Sequence, residues 1–203
     1  MRLRDWFRRS KHITMDEWMR QLEADPEYVR RRSEREKEIQ ERKVILRAAE
    51  KPLLEDLAKV GLQVDTVWDL VNTSSPYSNA LPVLLDHLQR PYPDEVREGI
   101  ARALAVRSTR PIGWRILVNE FCKTASSNKG VKDGLAAALS GASDNTVLPE
   151  LVALAKDQRH GDSRLLLLIG IRRSRRPEAK AAVAELARDP VLAKEIASWR
   201  RRD

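Results

Sequence analysis

The chain has 203 residues, of which 42% are apolar and 33% are charged, a balance that excludes collagen, low-complexity sequence and wholesale disorder. The formal net charge is +8 and the pI is near 9.9, but the middle of the chain (51–150) is close to neutral while both ends are basic. The longest apolar run, Leu165 to Ile171, is far shorter than the roughly 20 residues of a membrane-spanning helix, so no stable membrane insertion is expected.

The first predicted helices are defined by their N-terminal capping residues. Thr14 and Glu17 have the spacing of a capping box, in which each side chain bonds the other's backbone N–H. Asp25 followed by Pro26 ends this helix and starts another, because aspartate caps helices and proline fits their first position. Arg2, Arg4, Arg8 and Arg9 resemble the basic start of a signal peptide, but no apolar core follows them, so a secretory signal is not expected.

The stretch from Arg30 to Glu38 contains no apolar residue and therefore cannot join a core. Oppositely charged residues four apart, such as Glu27 and Arg31, favour a helix, so the stretch is predicted to be a solvated helix or helical linker. Residues 1–50 are assigned to a charged N-terminal extension and residues 51–203 to a second domain. Within the extension, Trp6 is the tryptophan expected to be available to a partner.

Apolar content returns after residue 43. Pro52 is predicted to start a new helix that ends at Gly61, a typical C-terminal stop. A short helix is expected from Val64 to Val71, and Asn72 to Pro76 is the clearest loop.

A repeat follows this loop. Residues 96–106 read VREGIARALAV and residues 131–141 read VKDGLAAALSG, which align without a gap at an offset of 35 residues. A weaker third copy begins at Ser163 and a fourth at Asp189. An amphipathic helix is predicted before each copy, over Leu81–Leu88, Ile112–Phe121, Val147–Leu154 and Ala179–Leu186. Helix pairs with a period near 33 indicate a stacked solenoid, because one pair cannot bury its own apolar stripe.

Residues 76–199 resemble HEAT-like repeats of the short bacterial type. The resemblance is carried by Pro93-Asp94-Glu95-Val96-Arg97 followed by Ala101, Ala103 and Leu104. It implies an all-α fold, a right-handed α-solenoid of HEAT-like helix pairs with N-terminal capping or extension helices, whose inner helices line a concave surface. HEAT-like proteins mostly bind other proteins, and some bind nucleic acid, including alkylated-base glycosylases. Fold does not fix function.

Arg97, Lys132 and Arg164 occupy equivalent repeat positions. They are expected to form a basic ladder. It is either a track for phosphates and acidic side chains or, as the resemblance to HEAT-like repeats implies, a structural ladder, and we favour the second interpretation. The acidic neighbours expected to pair with this ladder are Asp94, Asp133 and Asp162.

Two further basic clusters could neutralise phosphates in a sequence-independent, salt-dependent way. Their members are Arg172, Arg173, Arg175 and Arg176, and Arg200, Arg201 and Arg202. No aromatic residue is interleaved with them, so base stacking is not suggested. A solvated surface that serves solubility is the simpler interpretation.

No catalytic or metal-binding pattern is present. The sequence has no phosphate-binding glycine loop, nucleophile elbow or HExxH motif, and His12, His87 and His160 are far apart. Cys122 follows Phe121 and is expected to be a small buried hydrophobe rather than a nucleophile. No enzymatic activity and no cofactor are expected.

The leading hypothesis is a cytoplasmic, non-enzymatic scaffold or adaptor that binds a protein partner through its inner helices. The residues expected to contact the partner are Glu95, Glu98, Arg102, Lys129 and Asp133, with Trp6. The alternative is a sequence-nonspecific nucleic-acid-binding repeat protein that uses the arginine clusters. A third possibility is an immunity or regulatory protein that blocks one enzyme. The identity of the partner and the oligomeric state stay open.

Overall fold

The structure, a computed structural model, describes residues 14–71 and 73–199. All regular structure in these ranges is helical, which confirms the predicted all-α fold. The chain divides into two compact units, with the boundary between Ile45 and Leu46, whereas the sequence placed it between residues 50 and 51.

The described ranges contain eleven α-helices and three short 3₁₀ segments, the latter at Ser78–Ala80, Arg107–Thr109 and Gln158–Ser163. The α-helices are α1 (Met15–Glu23), α2 (Pro26–Lys59), α3 (Trp68–Val71), α4 (Leu81–Leu88), α5 (Asp94–Ala103), α6 (Arg110–Lys123), α7 (Lys129–Ala142), α8 (Leu148–Lys156), α9 (Arg164–Arg173), α10 (Pro177–Leu186) and α11 (Pro190–Trp199). None of them is long and apolar enough to cross a membrane.

The first unit follows its capping signals. The backbone N–H of Glu17 donates to Thr14 Oγ1 at 3.3 Å, and that of Thr14 donates to Glu17 Oε2 at 3.0 Å, so the predicted capping box is confirmed. Asp25 Oδ1 accepts from the backbone N–H of Glu27 at 2.9 Å and caps α2. No residue of α1 is buried, so its apolar face is not part of a core in the described structure.

Helix α2 is continuous through Pro52, so the predicted helix start there is wrong. Proline removes one backbone hydrogen bond from a helix interior, but Pro52 lies on the exposed side, where water can hydrate the freed carbonyl. Leu53 and Leu57, both fully buried, hold the opposite side in the core of the second unit. Glu27 pairs with Arg31 at 3.8 Å, which confirms the predicted helical pairing in the charged stretch.

After α2, the chain turns at Gly61, whose φ of +82° is accessible mainly to glycine. The short helix predicted from Val64 is only Trp68–Val71. The buried Glu50 side chain explains its start, because Glu50 Oε1 accepts from the backbone N–H of Val67 at 2.7 Å. An acidic side chain of α2 thus adds a distant acceptor to the local ones, Thr66 Oγ1 and Asp69 Oδ2, which also accept from backbone N–H groups at the start of this helix.

The repeat copies form one row of helices, in which α5, α7, α9 and α11 pack successively side by side. Helices α5 and α7 run in the same direction, because Gly130 lies beside Glu98 at their starts and Gly141 lies beside Ala105 at their ends. A Cβ atom on Gly141 would lie 2.2 Å from the Ala105 carbonyl oxygen. The glycines of α7 therefore permit the close approach of the two helices.

The preceding amphipathic helices pack against this row and against one another. Contacts join α4 to α6 and α8 to α10, while α6 packs on α7 and α8 packs on α9. The core lies between the two sets of helices and is almost entirely aliphatic. Its fully buried members include Leu84, Leu88, Ile100, Leu104, Leu117, Leu135, Leu139, Leu151, Leu167 and Leu168.

Candidate interaction surfaces

The basic ladder begins at Arg97 near the start of α5. Its Nη2 donates to Glu120 Oε2 of α6 at 3.2 Å, and Lys123 Nζ approaches the other oxygen of the same carboxylate at 3.2 Å. The Glu120 side chain is only 11% exposed. Arg97 therefore connects the start of α5 to the end of α6.

Lys132 is the buried cation of the second repeat copy, at 1% exposure. Its Nζ donates to the backbone carbonyls of Phe121 and Thr124 at the end of α6, the second at 2.7 Å. The Phe121 ring centroid lies 4.2 Å from Nζ, a cation–π distance. Burial lowers the pKa of the Lys132 ammonium below its usual value of 10.5, because desolvation penalises the charged form.

Arg164 is the equivalent residue of the third copy and is 2% exposed. Its Nη1 donates to Asp189 Oδ2 at 2.7 Å, and its Nε donates to the Gly161 carbonyl at 2.9 Å. Its Nη1 also donates to the Ala155 carbonyl near the end of α8 at 3.3 Å. The hydrogen bond from Arg164 is the main reason that the pKa of Asp189 is lowered.

These contacts support the structural interpretation of the ladder and correct its expected partners. The cations bind Glu120, backbone carbonyls at helix ends and Asp189. Asp133 instead accepts a hydrogen bond from Ser163 Oγ at 2.6 Å. The prediction that Asp94, Asp133 and Asp162 pair with the ladder is wrong. It assumed acidic partners close to each cation in the sequence, whereas the carboxylates that bind Arg97 and Arg164 are 23 and 25 residues away.

The predicted partner-binding residues that the structure describes lie on α5 and α7. Arg102 Nε donates to Glu98 Oε1 at 2.8 Å, and both side chains are partly exposed. Lys129 is exposed, while Glu95 and Asp133 are half-buried. Trp6 lies outside the described residues. The described members therefore provide a polar surface that still reaches solvent.

The repeat alignment extends this surface onto α9. With Arg97, Lys132 and Arg164 as equivalents, Arg102 corresponds to Ala137 and Ile169. Ile169 is 58% exposed, although it belongs to the longest apolar run of the chain, Leu165 to Ile171. We define the outward stripe as the residues at the Arg102 position of each copy and at the Glu98 position one helical turn earlier. It comprises Glu98, Arg102, Asp133, Ala137, Leu165 and Ile169. It changes from charged on α5 to apolar on α9.

The arginine cluster at the end of α9 is divided among different contacts. Arg173 Nη2 donates to the backbone carbonyl of Ser140 and, at 3.2 Å, to Ser143 Oγ, so it caps the end of α7. The guanidinium of Arg172 lies 4.9 Å from the Trp199 ring centroid. Arg175 and Arg176 are exposed. Of the second predicted cluster, Arg200, Arg201 and Arg202 lie outside the described residues.

Two concavities flank this cluster. A groove of about 450 Å³ between α10 and α11 has an apolar floor that includes Val183, Ile196 and Trp199. A polar cavity of about 310 Å³ lies on the other side and is lined by Arg107, Ser143, Asp144, Asn145, Gly170, Arg173, Ser174 and Arg175. The sequence indicated the arginines but not the cavity, because Arg107 and the 143–145 turn are distant in the chain.

A buried polar cluster in the second unit was missed by the sequence interpretation. His87 is fully buried, with Nε2 3.0 Å from Asp56 Oδ2 and Nδ1 2.7 Å from the Tyr92 hydroxyl. Hydrogen bonds from Lys59 and His87 lower the pKa of Asp56 to about 2. The cluster connects α2 to α4 and to the loop before α5. The isolated position of His87 in the sequence gave no signal for this arrangement.

Cys122 is exposed, so its expected burial is wrong. It lies on α6 next to Phe121, which is fully buried, and adjacent helical residues point about 100° apart. Among residues 14–71 and 73–199, no group of three or more histidine, cysteine, aspartate or glutamate residues is placed to hold a metal ion.

The sequence and structure were also compared with known proteins. No protein-family model, curated protein or solved structure matches this chain. The HEAT-like resemblance therefore depends on the repeat residues alone.

Proposed function

We propose that this protein is a non-enzymatic scaffold or adaptor that binds a protein partner through the outward stripe. In this proposal, the helix pairs α4–α11 form a right-handed HEAT-like α-solenoid, and the protein acts in the cytoplasm. Support for the solenoid comes from the successive packing of α5, α7, α9 and α11 and from the equivalent roles of Arg97, Lys132 and Arg164.

The observation that carries the proposal is the exposure of Ile169. An isoleucine that is 58% exposed, on a helix whose other apolar residues are buried or half-buried, leaves apolar surface that a partner could cover. Interfaces combine such an apolar centre with a polar rim. Here the rim would be the Glu98–Arg102 ion pair and the half-buried Asp133 carboxylate.

The test is capture of binding proteins from native lysate at physiological salt, with and without nuclease, using three forms of the full chain. We expect the wild type to retain a discrete protein after nuclease treatment and Ile169→Glu to lose it. Ile112→Glu is the matched control, because Ile112 is 52% exposed on α6 and outside the outward stripe. Equal capture by wild type and Ile169→Glu would contradict the proposal.

The alternative, sequence-nonspecific nucleic-acid binding, is favoured by the exposure of Arg175 and Arg176. It predicts recovery of nucleic acid, loss of the co-purifying proteins after nuclease, and affinity that falls steeply with salt. That result, together with unchanged capture by Ile169→Glu, would replace the leading proposal.

A further inference from the structure

The polar cavity beside the end of α9 has an unbalanced charge. Three of its lining residues are arginines, at positions 107, 173 and 175, and its only acidic lining residue is Asp144. Asp144 is already engaged, because Arg110 Nε lies 2.6 Å from its Oδ2. Its Oδ1 accepts from both the hydroxyl and the backbone N–H of Thr146. These contacts lower the pKa of Asp144 and leave the arginines in excess.

Two of the three guanidiniums have all their donors available. Within residues 14–71 and 73–199, the side chains of Arg107 and Arg175 make no hydrogen bond or ion pair. Arg173 is held in place by Ser140 and Ser143 through Nη2 alone. The cavity therefore combines one arginine that is fixed by the fold with two whose charges are uncompensated.

Neutral donors complete the lining. Ser174 Oγ donates to Asn145 Oδ1 at 2.8 Å, which orients the amide and leaves its NH₂ group free to donate. Gly170 lets α9 approach the turn after α7, because a Cβ atom there would lie 2.6 Å from Ser143 Oγ. Guanidinium and amide donors around one concavity are the groups that bind oxyanions.

We propose that this cavity binds a phosphate monoester carried by the protein partner. A phosphorylated serine or threonine carries about −1.5 to −2 charge and three strong acceptor oxygens at pH 7, which matches three arginines better than the single charge of a phosphodiester. The volume of about 310 Å³ is at the lower end of the roughly 300–1,000 Å³ typical of small-ligand sites. The cavity is a single recess with no aromatic lining residue, unlike a stacking track for a nucleic-acid strand.

The source of the phosphate rests on the proposed protein-binding function, but the anion site can be tested without a partner. The full chain is titrated with inorganic phosphate at constant ionic strength, and backbone amides are followed by ¹H–¹⁵N NMR. We expect saturable shifts at residues 143–146 and 173–175. Binding should weaken at least about tenfold in the Arg107→Gln/Arg175→Gln variant, the loss expected for one charge-assisted hydrogen bond.

Arg176→Gln is the matched control, because it removes a charge from the same cluster without touching the cavity lining. It should bind phosphate as the wild type does. An absence of saturable shifts, or an equal loss in Arg176→Gln, would overturn the site in favour of diffuse charge attraction. Either result would leave the proposed protein-binding function standing, because that function is tested separately by partner capture with Ile169→Glu.

A second set of titrations identifies the source of the phosphate. N-acetyl-O-phosphoserine amide should bind at least as tightly as inorganic phosphate, and dimethyl phosphate should bind more weakly. Binding of inorganic phosphate without the phosphoserine derivative would overturn the partner-borne ligand. The partner-borne ligand would be overturned in favour of nucleic acid by two results together. Dimethyl phosphate would bind as tightly as the phosphoserine derivative, and an oligonucleotide would bind with an affinity that also falls in Arg176→Gln.

Discussion

The two ends of the α5–α7–α9 row carry similar charges in opposite environments. At the N-terminal ends, Arg97, Lys132 and Arg164 are half-buried or buried, and all three are bonded to neighbouring helices. At the other end, Arg107 and Arg175 are exposed beside a cavity. The packing of helix ends, rather than the residue type, therefore decides whether a cation stabilises the fold or remains available to a ligand.

Chain connectivity explains the difference. Short connections bring the C-terminal end of α6 next to the start of α7 and the end of α8 next to the start of α9, so helix-end carbonyls lie within reach of Lys132 and Arg164. These carbonyls carry the partial negative charge of the helix dipole. At the opposite end of the row, Arg173 caps the end of α7, and among the described residues the side chains of Arg107 and Arg175 make no hydrogen bond.

The largest predicted effect follows from Arg164→Met. The Arg164 side chain is 2% exposed and Asp189 is 13% exposed, so the substitution leaves a partly buried carboxylate without its cation. Breaking a buried pair in this way costs about 3–5 kcal/mol. Urea denaturation should show this loss in the free energy of unfolding.

Arg115→Met is the control for this prediction. Arg115 pairs with Glu150 at 3.3 Å but is 81% exposed, and such pairs contribute about 0–1 kcal/mol. If Arg164→Met lowered the free energy of unfolding no more than Arg115→Met does, the stability of the buried end of the row would not depend on its cations. The proposed difference between the two ends would then be wrong.

The second prediction concerns the contact that holds α5 and α7 together. Glycine to alanine in a helix usually stabilises by about 1 kcal/mol, but Gly141→Ala would place a methyl group 2.2 Å from the Ala105 carbonyl oxygen. We expect destabilisation of about 1–3 kcal/mol from overpacking, measured by thermal or urea unfolding.

Gly130→Ala provides the contrast on the same helix. The added methyl group would meet only the flexible end of the Glu98 side chain. The free energy of unfolding of Gly130→Ala should therefore stay the same or rise. Equal effects of the two substitutions would show that backbone contact does not limit the spacing of α5 and α7.

The third prediction uses the pKa of Lys132. Lys132→Met should lower the free energy of unfolding by about 1 kcal/mol at pH 7. Two helix-end carbonyls lose their donor, which destabilises the fold, and the removal of a buried charge offsets part of this loss. The pKa of Lys132 is lowered in the folded state, so the unfolded chain binds more protons as the pH approaches 10.5. The wild type should therefore gain stability relative to Lys132→Met as the pH rises toward 10.5. Urea unfolding at pH 7, 9 and 10 would contradict this assignment if the difference stayed constant or narrowed.

Much of the helix pattern was predictable because its signals are local. Thr14 and Asp25 cap the helices that they were expected to cap, and α4 has the predicted bounds of Leu81–Leu88. Pro52 misled the interpretation because the packing of Leu53 and Leu57, which overrides a helix breaker, is a tertiary effect.

The candidate sites were less predictable because they depend on contacts between distant residues. The partner of Arg97 is 23 residues away in the sequence, and the polar cavity joins Arg107 to Arg175. The sequence identified the arginine cluster as a unit, whereas packing gives its members different contacts. Arg173 caps α7, Arg172 lies beside Trp199, and Arg175 and Arg176 are exposed. Ile169 lies in an apolar run, and only the repeat alignment with Arg102 indicates that its position faces outward.

The smallest predicted effect, from Arg175→Gln, tests the available end of the row. Arg175 has no side-chain partner among the described residues and shares the cavity lining with Arg107 and Arg173. Removing its charge should therefore leave the free energy of unfolding unchanged or raise it by a few tenths of a kcal/mol at low salt, because like charges repel weakly through water. In about 1 M salt, where the screening length is about 3 Å, that gain should disappear.

Arg188→Gln, which changes the net charge equally at an exposed position outside both concavities, is the control in urea unfolding. A loss larger than about 0.5 kcal/mol, beyond the usual range for surface substitutions, would mean that Arg175 stabilises the fold as Arg164 does, and that the two ends of the row do not differ.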